Sequence, residues 1–265
     1  MKIRINNPSS PGAMYSDNTN EALIGAFDWI EDNGFPTIGF KQLREKLVSE
    51  KGINDNNARN IFPLARACGF VSYKKNSPID TNLFFTKRGN AYIQLLKTKK
   101  LISGDDNYSG DQKKSASKSI NSIISNIIYD GLRDLLLLDE SNYKSTLKDI
   151  INYLLRFGKI NKEEYALMLY GRNNYNDSFL DDISELVVNY RNHQLDLEIE
   201  VEVRDDMATN DSADKTTRVE GIGYLSSYTY FVGLLSEANL ITDIQDNYYF
   251  VVENNAHKLE DLMED

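Results

Sequence analysis

A single cysteine, Cys68, stands among 265 residues, so no internal disulfide can form and the fold must rest on packing. Cys68 itself, between Ala67 and Gly69 at an apolar helix end, reads as a small buried residue rather than a nucleophile. Histidine is as scarce. His193 and His257 lie far apart and lack cysteine neighbours, which argues against a structural zinc. Five prolines and fifteen glycines are too few for a collagen-like or low-complexity chain. The longest aliphatic runs, such as Leu135 to Leu138, fall far short of the ~20 apolar residues that a membrane span requires, so no membrane partner is expected. The opening Met1-Lys2-Ile3-Arg4-Ile5-Asn6-Asn7-Pro8 has no apolar stretch behind its basic residues, so a secretory signal is not expected and a cytoplasmic protein is.

The chain is 41% hydrophobic and 26% charged, enough apolar material for one large core or two smaller ones. Its net charge of −10 argues against nucleic acid on average. The average conceals a gradient. Residues 41–120 carry a net +9, residues 1–40 carry −3, residues 121–172 are balanced and residues 173–265 carry −16. The two ends should therefore prefer different partners.

Residues 21–100 read as one compact unit. Ala22, Leu23, Ala26, Phe27 and Ile30 fall at helical spacing, Gly34-Phe35-Pro36 breaks the pattern, and a second helix runs from about Phe40 to Val48. Asn54 or Asp55 can cap a third helix whose apolar positions, Ala58, Ile61, Phe62 and Ala65, lead to Gly69 as its stop. Two short β-like runs follow, Phe70–Tyr73 and Leu83–Thr86, and then a helix from about Arg88 to Lys97. Three helices and a hairpin is the order of a winged helix-turn-helix.

Residues 103–119 contain no Leu, Ile, Val, Met or Phe and read as a flexible linker. Two amphipathic helices follow, one through Ile120, Ile124, Ile128 and Leu132, the other through Leu147, Ile150, Ile151, Leu154 and Leu155. Asn161 with Glu164 resembles a capping box. From Leu195 to Arg204 apolar and charged residues alternate, the period of a strand whose acidic face blunts a solvated edge. A helix over Tyr224–Leu235 and a hairpin through Ile241 and Tyr248–Val252 suggest a second winged element. The expected fold is mainly α with small β-hairpins (α+β), two winged helix-turn-helix subdomains joined by a helical connecting region. The expected divisions are a winged domain at 1–102, a linker at 103–119, helices at 120–204 and a second winged-like domain at 205–265.

The start of the third helix is the best nucleic-acid candidate, because a winged helix places it in the major groove. There Asn pairs bidentately with adenine and Arg with guanine. Asn56, Asn57, Arg59 and Asn60 are the expected readers; Lys74 and Lys75 lie on the expected wing, and Lys87, Arg88, Lys97, Lys99 and Lys100 are candidates for phosphate. The plainer alternative makes the Asn residues caps and the Lys residues a solvated face. At the second helix, Lys215, Arg218, Ser226, Ser227 and Tyr228 are weaker candidates, since packing accounts for the aromatic residues equally well. No catalytic residue stands out: Glu198, Glu200 and Glu202 share a face but lack the Lys that a metal-dependent nuclease core needs. Gly221-x-Gly223 lacks a third Gly and a preceding strand.

The order of elements resembles the DNA-recognition region of AlwI-like type IIS restriction and nicking endonucleases. Three segments carry the likeness: Ala67-Cys68-Gly69-Phe70-Val71 with Leu83-Phe84-Phe85-Thr86-Lys87-Arg88-Gly89, then Leu154 to Tyr165, then Tyr228 to Leu235 with the hairpin at Tyr248–Val252. The resemblance implies a recognition lobe for a short asymmetric site on double-stranded DNA, attached to a separate cleavage domain that would follow the second winged unit and is not expected on this chain. It implies no cofactor on this chain, Mg²⁺ entering only with a nuclease domain or subunit. The competing expectation is a winged-helix adaptor that binds partner proteins, or a transcriptional regulator, without nuclease association.

Overall fold

The computed structural model describes residues 1–74, 76–138, 142–175, 178–204, 216–245 and 247–264, with the backbone alone at 138, 203–204, 216–220 and 244–245. The protein is mainly helical with small sheets. In chain order the elements are β1 (Lys2–Asn6), α1 (Asp17–Asp32), β2 (Thr37–Gly39), α2 (Phe40–Lys51), α3 (Asp55–Ala67), β3 (Pro78–Asp80), α4 (Lys87–Gly104), α5 (Gly110–Leu138) and α6 (Lys144–Phe157). There follow β4 (Lys159–Ile160), α7 (Lys162–Asn174), α8 (Phe179–Asp182), α9 (Ser184–Arg191), β5 (Glu198–Arg204), β6 (Thr216–Glu220), α10 (Ser227–Glu237), β7 (Ile241–Gln245), β8 (Tyr248–Val251) and α11 (Ala256–Asp261).

The chain divides into two compact units that interleave in sequence. A helical unit comprises residues 11–144 and 233–239, and a mixed unit comprises residues 1–10, 145–232 and 240–264. The expected boundaries at 102, 119 and 204 are replaced by these. The reason is long-range pairing: β1 joins β5 across almost two hundred residues, so the first strand belongs with the later half of the chain.

In the helical unit, α1 buries Ala22, Leu23, Ala26, Trp29 and Ile30, while Phe27 lies half-buried against Phe85. α3 buries Ala58, Ile61, Phe62 and Ala65 and ends at Gly69, whose φ of 69° is the left-handed geometry glycine tolerates. The expected hairpin of Phe70–Tyr73 with Leu83–Thr86 shrinks to one bridge, Val71 with Phe85. The regular pair forms instead between β2 and β3, with Ile38 opposite Ile79. Asp80 explains the change: its carboxylate accepts the backbone N–H of Asn82 and starts a 3₁₀ turn over Thr81–Leu83, which leaves Leu83 exposed. α4 approaches the chain at Phe70 closely enough that a Cβ on Gly89 would sit 2.0 Å from the Phe70 carbonyl oxygen.

The expected flexible linker is also corrected. α4 extends to Gly104 and α5 begins at Gly110, so residues 110–119 form the first turns of a 29-residue helix. Ser109 Oγ accepts from Gln112 N at 3.3 Å, and Gln112 Oε1 accepts from Ser109 N at 2.8 Å, a reciprocal cap. A lack of apolar residues keeps these turns out of a core without preventing a solvated helix. Ile120, Ile124, Ile128, Leu132 and Leu135 then bury the rest of α5 in the helical unit.

The mixed unit packs α6 and α7 with two three-stranded sheets, ordered β1-β5-β6 and β4-β8-β7. β5 is central, parallel to β1 and antiparallel to β6, not a solvated edge. Ile3, Ile5, Ile199 and Val201 are buried, and on the other face Glu200 takes both Lys2 and Arg4 as ion partners. The C-terminal hairpin forms as β7 and β8, with β4 pairing to β8.

Candidate nucleic-acid interface

Asn54 starts α3: its Oδ1 accepts the backbone N–H groups of Asn56 and Asn57 at 2.9 and 3.3 Å. The buried face of the helix fixes the opposite face, on which Asn56 and Arg59 are exposed, Asn60 is half-buried and Pro63 is exposed, a stripe at i, i+3, i+4 and i+7. Asn60 Nδ2 lies 3.5 Å from Asn56 Oδ1, so the two carboxamides lie side by side. Asn57 is different. It is half-buried and its Nδ2 donates to the Asn18 carbonyl at 3.2 Å, a contact that ties α3 to α1 rather than offering the amide to a base.

Arg59 is held at its guanidinium. Asp55 Oδ2 accepts from Arg59 Nη2 at 3.0 Å, and Asp55 Oδ1 accepts from Arg44 Nε of α2 at 2.8 Å. Arg44 is the more buried of the two arginines, with 21% of its side chain exposed against 60% for Arg59. Neither Arg44 nor Asp55 was among the residues expected at the site. The i, i+4 spacing of Asp55 and Arg59 was the available signal for one half of this cluster; the α2–α3 contact that brings in Arg44 leaves no such mark.

Phe40 at the start of α2 packs against the buried Phe62 of α3 and stacks on Tyr73 with ring centres 4.6 Å apart, and the Arg66 guanidinium lies 5.4 Å from the Tyr73 ring centre. A cleft of about 490 Å³ opens there, lined by Phe40, Lys41, Gln42, Asn76 and Ser77 among others. Lys74 is exposed; Lys75 lies outside the described residues.

The other expected contacts separate sharply. Lys87 is exposed. Arg88 is committed inside the unit, pairing with Asp134 of α5 and donating to the Cys68 carbonyl at 2.9 Å, so it is not available to phosphate. Lys97 pairs with Asp28 and Glu31 of α1 and lies over the Phe27 ring, and Lys100 pairs with Glu21. Lys99 lines two clefts of the helical unit that also hold Asp17. Of the second set, Lys215 lies outside the described residues and Arg218 belongs to β6, opposite Glu202. Ser226 accepts from Asn7 Nδ2 at 3.2 Å. Ser227 is fully buried and hydrogen-bonded to the Tyr165 hydroxyl, and Tyr228 is buried with its hydroxyl on the Ile160 carbonyl. Neither can reach a base edge from there; packing claims both.

A second polar cluster escaped the sequence reading. Asn161 caps α7 by accepting from Glu164 N at 2.7 Å, but the Glu164 carboxylate does not return to complete a capping box. It is fully buried and accepts from Nε and Nη2 along one edge of the Arg191 guanidinium, at 2.7 and 2.8 Å, and from the hydroxyls of Tyr153 and Tyr248. Arg191 also donates to the Phe157 and Lys159 carbonyls. With every polar atom engaged, the cluster joins α6, α7, α9, β4 and β8 and serves the fold. Nearby, Asp149 Oδ2 sits 2.7 Å from Arg172 Nη1 but outside the angle of a hydrogen bond. Burial pushes this carboxyl up to about 6, against the opposing pull of Arg172.

Among the described residues no three His, Cys, Asp or Glu side chains gather in a way that could hold a metal ion, and no helix is long and apolar enough to cross a membrane. No known protein family, curated protein or solved structure matches this chain.

Proposed function

We propose that the chain binds double-stranded DNA sequence-specifically, with the helical unit acting as a winged helix-turn-helix and the start of α3 entering the major groove. The observation that carries this reading is the exposed stripe of Asn56, Arg59 and Asn60 on a capped helix whose other face is locked in a core. Those side chains match base edges: Asn for adenine, Arg for guanine. Support also comes from the element order, with a helix, a short strand, two helices and then β3, and from Lys74 on the turn before β3. Following the resemblance, we assign the chain as the recognition part of a type IIS-like restriction endonuclease whose cutting is done by a separate nuclease domain or subunit with its own Mg²⁺.

The test is selection of bound duplexes from a random pool at two salt concentrations with Mg²⁺ present. Enrichment of one short asymmetric sequence, recovered uncut, is the expected result. No enrichment at the lower salt concentration would remove the proposal. A second reading, an adaptor for partner proteins, draws on a specific observation: Ser227 and Tyr228 are buried, and residues 173–265, most of which belong to the mixed unit, carry −16, so this part of the chain offers little to a phosphate backbone. That reading expects no enriched duplex at either salt concentration.

A further inference from the structure

We infer that Asp55 is a positioning residue for base readout, holding Arg59 in the orientation that recognises a guanine; the inference rests on the duplex-binding reading above. A free arginine on a helix surface samples many rotamers, and ordering it on binding costs affinity and blurs the choice of base. Arg59 is not free. Asp55 grips one N–H of its Nη2 and leaves the rest of the guanidinium fork open for a bidentate contact to guanine O6 and N7.

Asp55 in turn is held from behind. Its second oxygen is occupied by Arg44 Nε, and Arg44 is largely covered on α2, so the anchor extends from the body of the unit to the tip of the reader. This explains an otherwise awkward feature, an acidic residue at the first turn of a helix proposed to approach phosphates. The carboxylate faces two arginines, and its negative charge is spent on orientation. The Asn pair is arranged separately, through the contact between Asn56 and Asn60, so loss of Asp55 should disturb one base pair and leave the rest of the site intact.

The experiment uses the full chain and its own selected duplex, with each base pair of that duplex substituted in turn. Arg59→Ala locates the base pair that Arg59 reads. Asp55→Asn and Arg44→Gln are then titrated against the same panel, with thermal melting as a check on folding. At the Arg59 position the wild type is expected to prefer the selected base by about 10- to 100-fold. Asp55→Asn should cut that ratio to a few-fold, with the ratios at other positions unchanged and binding to mismatched duplex unweakened, and Arg44→Gln should shift the same ratio in the same direction. A merely structural role would lower affinity for all duplexes together. Unchanged preference in both Asp55→Asn and Arg44→Gln, where Arg59→Ala abolishes it, overturns the role of Asp55 alone. A uniform loss of affinity overturns it too. A wild-type chain that selects no duplex overturns the binding reading and this inference with it.

Discussion

Arg59→Ala removes one exposed guanidinium and no core contact, so the folded chain should persist while discrimination at one base pair falls by ~1–3 kcal/mol, read by competition titration of substituted duplexes. Asp149 allows a different residue-scale test. Its carboxyl is raised in the folded chain, so folding favours the protonated form, and the penalty for ionising it grows as pH rises from the ordinary carboxylate range through about 6. Comparing wild type with Asp149→Asn cancels the other carboxylates. The stability of the wild type relative to the variant should therefore fall between about pH 4 and pH 6 and level off above, in urea titrations at several pH values. A difference independent of pH would rule this out. At this scale, local chemistry was readable: the Asn54 cap and the buried Cys68 both follow from neighbours within a turn or two. The fates of Asn57 and Arg88 were not, because their partners, Asn18 and Asp134, lie 39 and 46 residues away.

Elements show the same division. Helices α1, α3 and α6 were legible because each buries a stripe with a 3.6-residue period. The start of α5 was not, since it buries almost nothing; yet Ser109 and Gln112 carried the signal in their spacing. Ser109→Ala should cost ~0.5–2 kcal/mol by loosening that cap, seen as faster amide exchange over residues 110–116. β1 was missed because Lys2-Ile3-Arg4-Ile5 is too short to stand out until β5 supplies its partner, and β5 in turn was read correctly as a strand but placed at an edge. Gly89→Ala tests the close approach of α4 to Phe70. With a Cβ only 2.0 Å from a carbonyl oxygen, the backbone must move, and the melting temperature should fall by an amount equivalent to at least ~2 kcal/mol.

For the whole molecule the decisive quantity is how many cations remain for a polyanion once the fold has used its own. Residues 41–120 look strongly basic in sequence, but Arg44, Lys51, Arg88, Lys97 and Lys100 are paired with carboxylates. Of the expected phosphate contacts, Lys74 and Lys87 are exposed among the described residues, with Lys75 beside Lys74 in sequence, while Arg59 is paired with Asp55 and assigned to a base. Each phosphate neutralised contributes about −0.9 to the slope of log K against log salt, so three contacts give a slope of roughly −3, shallow for a specific DNA-binding protein. Lys87→Ala should flatten the slope by about one unit for every duplex alike, whereas Arg88→Ala should leave the slope unchanged and lower thermal stability, because its partner Asp134 would be stranded. A wild-type slope near −8 would mean that the contact surface is far larger than the stripe on α3 and draws in cations beyond these, such as the exposed Lys114 and Lys118 of α5.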